Sequence, residues 1–82
     1  MKCTDLRMMV LPTLVRSVVT RLQAAIEVAD TNQGMVMAAQ RAEGFVLGLE
    51  TAGAFQSDVI EALYVGFENA VAIRRDELRD LL

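Results

Sequence analysis

Hydrophobic residues recur at steps of three and four along the first third of the chain, and polar residues repeat with the same steps on another face. This spacing keeps side chains on one side of an α-helix, so it predicts a helix over about residues 12–29. Pro12 fits its first turn, where the missing N–H costs nothing. Alternatively, residues 1–11 hold an extra helical turn that Thr4 caps, and Pro12 bends the junction. The apolar stripe comprises Leu11, Val15, Val18, Leu22, Ala25 and Ala29.

The polar run at residues 30–34 predicts the first break, because Asp, Thr and Asn side chains compete for backbone hydrogen bonds. Thr31 or Asn32 can cap the helix that follows. A second apolar stripe predicts this helix over about residues 34–52, and Gly53 can end it in the left-handed conformation. The second stripe comprises Met35, Ala38, Ala42, Phe45, Leu49 and Ala52.

A third helix is predicted over about residues 58–81, with Ser57 as its cap and Asp58 in its first turn. The three predicted helices make the fold class all-α, in a single domain over residues 1–82. Short connections usually reverse the direction of the chain, so consecutive helices are expected to be antiparallel. The architecture is either a three-helix antiparallel bundle or a helical hairpin with a third helix against it. The third stripe comprises Ile60, Leu63, Phe67, Val71, Leu78 and Leu81.

The apolar content predicts self-association. Hydrophobic residues make up 54% of the 82 residues, whereas a compact chain this short buries only about 60–65% of its unfolded surface. A homodimer would cover the surplus. Two glycines one turn apart in the second helix each cost roughly 1 kcal/mol relative to Ala, which a close helix approach would offset; alternatively, they are tolerated without a packing role. The predicted interface comprises Val15, Val18, Leu22, Gly44 and Gly48.

The composition lacks the parts of most catalytic and metal sites. The chain has no His and a single Cys, Cys3, so catalysis through an imidazole base is excluded. A zinc site needs about four Cys or His ligands, which the chain cannot supply. We therefore predict that the chain is not an enzyme and has no catalytic residue, metal site or cofactor.

The net charge of −3 is unevenly distributed along the chain. Residues 24–70 carry seven acidic residues against one arginine. Acidic side chains seven residues apart share a helix face, and this spacing occurs once in each of the last two helices. If these helices are antiparallel, the four carboxylates predict an acidic face that binds another protein. They are Glu43, Glu50, Glu61 and Glu68.

The first 23 residues carry four basic residues against one acid, which gives an alternative function. A small nucleic-acid-associated regulator would bind phosphates through the basic first helix, using Arg7, Arg16 and Arg21. Four basic residues over this length form a thin basic face, so nucleic acid is the less favoured partner. No apolar run is long enough for a secretory signal or a membrane span. We therefore expect a cytoplasmic protein with no membrane partner.

The stretch from Arg41 to Gly53, followed by Ser57, Asp58 and an arginine-containing tail, resembles small helical proteins encoded by enterobacterial prophages and other mobile elements. The resemblance covers about half of the chain. It implies a bacterial or phage accessory protein of the cytoplasm and supplies no functional residue. Together with the composition, it favours a non-enzymatic interaction module that acts as a helical homodimer with an as yet unidentified protein partner.

Overall fold

The computed structural model describes Leu6 and residues 9–81, and the regular secondary structure of these residues is entirely helical. Each of its three long helices packs against both others, so the predicted all-α class is confirmed. The helices are α1 (Thr13–Val28), α2 (Asn32–Thr51) and α3 (Ser57–Asp80). The predicted bounds agree with these to within two residues. Most of the predicted extra turn over residues 1–11, including Thr4, lies outside the described residues.

The structure confirms some of the predicted helix-end residues and contradicts others. The Thr31 hydroxyl accepts a hydrogen bond from the backbone N–H of Gly34 at 2.9 Å, so Thr31 rather than Asn32 caps α2. Gly53 has a φ of 65°, as predicted for a residue that ends a helix. The prediction that Ser57 caps α3 is wrong, because Ser57 is already helical and Gln56 holds the capping position without a side-chain hydrogen bond. Pro12 likewise lies just before α1 rather than within it.

One face of each helix and two leucines of the N-terminal segment form the core. In α1 the predicted stripe is wrong in part, because Val19 and Ile26 are buried while Val18 is only half-buried. In α2, Val46 is buried and Ala52 is exposed beyond the helix end. The buried hydrophobic residues are Leu6, Leu11, Val19, Ile26, Met35, Ala38, Ala42, Val46, Ile60, Leu63, Phe67 and Ala70.

The close approach expected at Gly44 and Gly48 occurs at a different glycine. Both of these residues are exposed, and a Cβ added to either would meet no atom of the described residues within 4 Å. A Cβ on Gly66 would instead lie 2.6 Å from Cγ of Leu6, well inside van der Waals contact. The absence of a side chain at Gly66 therefore lets Leu6 pack against α3. Within one chain, nothing in the described residues packs against Gly44 or Gly48, and their place in a homodimer interface stays a prediction.

Arg74 ties α3 to the turn between α1 and α2. Its Nε donates a hydrogen bond to the carbonyl oxygen of Ala29 at 2.8 Å, and its Nη1 lies 3.1 Å from Oε1 of Glu77. The side chain is 18% exposed, so it is largely removed from water where α1 ends. A charged donor thus satisfies a carbonyl that the helix leaves without an intrahelical partner.

Replacing Arg74 with Ala is expected to lower the free energy of unfolding by about 1.5 kcal/mol, because the Ala29 carbonyl loses a charged donor. Arg79→Ala is the matched control: Arg79 pairs with Asp76 at 2.7 Å on the same helix, but its side chain is 70% exposed. The control is expected to cost about 0.5 kcal/mol or less. Urea unfolding of both variants measures the difference, and equal losses would contradict the role of Arg74.

Candidate functional site

A groove of about 390 Å³ opens to solvent between α2 and α3. Its apolar part is formed by Ala39 of α2 together with Phe67 and Val71 of α3, and Phe67 also belongs to the core. Polar side chains from both helices complete the lining. They are Glu43, Tyr64, Glu68 and Arg75.

Helical spacing explains why these residues share one groove. On α3 the lining residues recur at steps of three and four beside the core stripe, and on α2 they are one turn apart, from Ala39 to Glu43. The two helices run in opposite directions, since Tyr64 near the start of α3 reaches Glu50 near the end of α2. The antiparallel arrangement brings the middle of α2 against the middle of α3, and the groove lies along this seam.

The charged side chains that line the groove have no ion-pair partners among the described residues. Glu43 and Glu68 are exposed, and neither forms an ion pair or a side-chain hydrogen bond within the described part of the chain. Arg75 likewise has no ion-pair partner there, although it lines the same groove. Two carboxylates and one guanidinium around an apolar strip give the groove an excess of negative charge. Such a surface attracts a cationic group that also carries apolar side chains.

Through a hydrogen bond, Tyr64 brings a third carboxylate, that of Glu50, to the edge of the groove. Its hydroxyl donates a hydrogen bond to Oε1 of Glu50 at 3.2 Å. Partial burial raises the pKa of Tyr64, and so do this hydrogen bond and the negative charges of Glu50 and Glu43. The phenol therefore stays a neutral donor at physiological pH and holds the Glu50 side chain beside the groove.

The structure brings together three of the four predicted acidic residues. Glu43 and Glu68 line the groove and Glu50 reaches it through Tyr64, whereas the exposed Glu61 is not part of its lining. Sequence reasoning missed Tyr64 and Arg75 as parts of this site. Their steps of four and seven residues from Glu68 would have placed both beside it on α3.

The residues predicted for a dimer interface have different environments in the single chain. Val15 and Leu22 are half-buried and pack against the core of their own chain. Val18 is half-buried, and Gly44 and Gly48 are exposed on the outer side of α2. The homodimer stays a prediction.

The arginines predicted for nucleic-acid binding do not converge. Arg16 donates a hydrogen bond to the carbonyl oxygen of Met9 at 3.4 Å, so it is engaged with its own chain. Arg21 follows five residues later, which places it about 140° further around α1. Arg7 lies outside the described residues. The described part of α1 therefore presents two separate positive charges rather than one basic face.

The described residues contain neither a candidate metal site nor a candidate membrane-spanning helix. Among them, no group of three or more His, Cys, Asp or Glu side chains is arranged to hold a metal ion. None of the three helices combines the length and the apolar character that a membrane crossing requires.

Comparisons with protein-family models, with curated proteins and with solved structures find no match for this chain.

Proposed function

We propose that this chain is a non-enzymatic interaction module whose groove between α2 and α3 binds a basic amphipathic helix. The observation that carries the proposal is the combination of an apolar strip, Ala39 and Val71 beside the buried ring of Phe67, with two carboxylates. These carboxylates, Glu43 and Glu68, form no ion pair within the described residues. A helix that lays apolar side chains into a groove is a common mode of peptide recognition. Basic residues beside its apolar face would pair with the two carboxylates.

The dimensions and the electrostatics of the groove support this class of partner. The lining on α3 runs from Tyr64 to Arg75, which is about 16 Å or three turns of a helix. A partner helix of similar length would cover the groove. Its cationic side chains would gain more at Glu43 and Glu68 than at a fully solvated carboxylate, because binding excludes water from the seam.

Self-association is part of the same proposal. Six large hydrophobic side chains of the described residues are more than half exposed, and a second copy would cover those of them that lie at the contact. They are Val10, Leu14, Val28, Leu47, Ile73 and Leu81. An accessory role in a bacterial or phage cytoplasm stays a prediction from the sequence resemblance.

A designed peptide tests the groove directly. The probe is a fluorescein-labelled helix of about 18 residues, long enough to hold a helical fold when bound, with Leu on one face and Lys on the other. We expect saturable binding in fluorescence polarisation. The double variant Glu43→Lys with Glu68→Lys should weaken binding at least about tenfold, which is 1.4 kcal/mol.

Glu61→Lys is the matched control, because the same charge reversal occurs on α3 outside the groove lining. It should change the affinity by less than about twofold, after correction for salt screening. A peptide with Glu in place of Lys should not bind. The double variant reverses two charges and Glu61→Lys reverses one. A Glu61 variant that loses half as much binding free energy as the double variant, or more, would mean that net charge alone matters, and would refute a specific groove.

A further inference from the structure

The outer face of α1 carries an apolar stripe with a positive charge at its centre. Leu14, Arg21 and Val28 are spaced seven residues apart, so they lie within about 40° of one another around the helix. All three are exposed, Leu14 at 82% and Val28 at 73%. Arg21 forms no ion pair within the described part of the chain. Ser17 and Ala24 lie between them and are small enough for another helix to approach closely.

This stripe and the acidic groove are separate surfaces on different helices. The core face of α1 packs against both α2 and α3, whereas Leu14, Arg21 and Val28 are exposed. The groove is lined by residues of α2 and α3 alone. One copy can therefore present its α1 stripe to the groove of a second copy.

We infer that the groove between α2 and α3 is occupied by the outer face of α1 from a second copy of this chain. Charge complementarity carries the inference: Arg21 meets Glu43 and Glu68, and none of the three has an ion-pair partner within the described residues. The lengths also agree, since the stripe from residue 14 to residue 28 spans about 21 Å and the groove about 16 Å. Leu14 and Val28 then lie near the two ends of the groove, on either side of the apolar strip. The inference rests on the proposed function, because it names the helix that the groove binds.

The arrangement has a consequence for the assembly. One copy supplies Arg21 and the other supplies the carboxylates. Two copies that make this contact reciprocally form a closed, symmetric dimer, whereas copies that make it in one direction only form rings or open chains. We expect the mass of the wild-type chain to rise with concentration from the monomer mass of 9.0 kDa to at least twice that value.

Charge reversal on each side tests the contact with the full chain. Arg21→Glu and the double variant Glu43→Lys with Glu68→Lys should each weaken self-association at least about tenfold in sedimentation velocity. Mixing the two variants should restore assembly, because an intact stripe then meets an intact groove and a reversed stripe meets a reversed groove. A merely unfolded variant could not be rescued in this way. Circular dichroism checks that both variants keep their helices.

Arg41→Glu is the matched control for Arg21→Glu, because Arg41 is exposed on α2 and does not line the groove. It should leave the assembly within about twofold of the wild type, since a single solvent-exposed charge contributes little. A wild-type chain that stays monomeric at high concentration, or a mixture of the two variants that fails to assemble, would overturn the inference. A dimer that is insensitive to Arg21→Glu would overturn it as well.

The labelled peptide separates failure of this inference from failure of the proposed function. Arg21→Glu leaves the groove intact and removes its competitor, so the variant should bind the peptide at least as tightly as the wild type. If the peptide binds and self-association ignores Arg21, the second copy is not the occupant and the proposed function stands. If assembly depends on both sides of the contact and the peptide does not bind, the inference stands and recognition of other basic helices fails.

Discussion

Leu63→Ala is expected to lower the free energy of unfolding by about 2–5 kcal/mol, the range found when a buried leucine is truncated and leaves a cavity. Leu63 is 0% exposed at the centre of the core face of α3. Small domains have only about 5–15 kcal/mol of total stability, so the loss is a large share of it. Urea unfolding followed by circular dichroism measures the change, and the slope of the transition should stay constant.

Leu47→Ala is the control for this truncation. Leu47 lies on α2 and is 54% exposed, so the same change removes little buried surface and should cost less than about 1 kcal/mol. The measurement should be made at low protein concentration, where self-association does not contribute. Equal losses at the two positions would contradict the core described here.

A second large effect is expected from the contact between Leu6 and Gly66. Gly66→Ala should destabilise the wild-type chain by about 1 kcal/mol, because the new methyl group displaces Leu6 and the lost packing exceeds the gain in helix propensity. Leu6→Ala alone should cost about 2 kcal/mol. In the Leu6→Ala background, Gly66→Ala should instead stabilise the chain by about 1 kcal/mol, since only the helix propensity remains.

The result to measure is whether the effect of Gly66→Ala on the free energy of unfolding changes sign when Leu6 is replaced by Ala. It corresponds to a coupling of about 2 kcal/mol between the two positions in a double-mutant cycle, which is typical of residues in direct contact. Gly48→Ala is the control, because it has open space around it and should stabilise α2 by up to about 1 kcal/mol in either background. Additive effects of the Leu6 and Gly66 changes would mean that the N-terminal segment does not pack at Gly66.

The core and the groove share the side chain of Phe67, so stability experiments and binding experiments need variants at different residues. Phe67 is buried in the core and also lines the groove, so a change at Phe67 would alter folding and binding together. Glu43 and Glu68 are exposed beside it. Reversing their charge is expected to change binding with less than about 1 kcal/mol of effect on stability. The binding tests therefore act on these two residues.

The amino-acid sequence by itself determined the helices and the breaks between them. Apolar steps of three and four specify three helices, because only a 3.6-residue period places such residues on one face. The polar run before Asn32 and the glycine at position 53 specify the two breaks through local hydrogen bonding and backbone freedom. These interactions involve residues close in the chain, so they can be recognised without knowing the fold.

The tertiary structure alone decided which apolar residues meet. Val18 and Val19 are adjacent apolar residues on the inner side of α1, so periodicity could not decide which of the two is fully buried. The approach of Leu6 selects Gly66 rather than Gly44 or Gly48 as the packed glycine. The groove joins Glu43 to Glu68 across two helices. Contacts between residues distant in the chain depend on how the helices are rotated and aligned against one another, and a local pattern contains no information on that alignment.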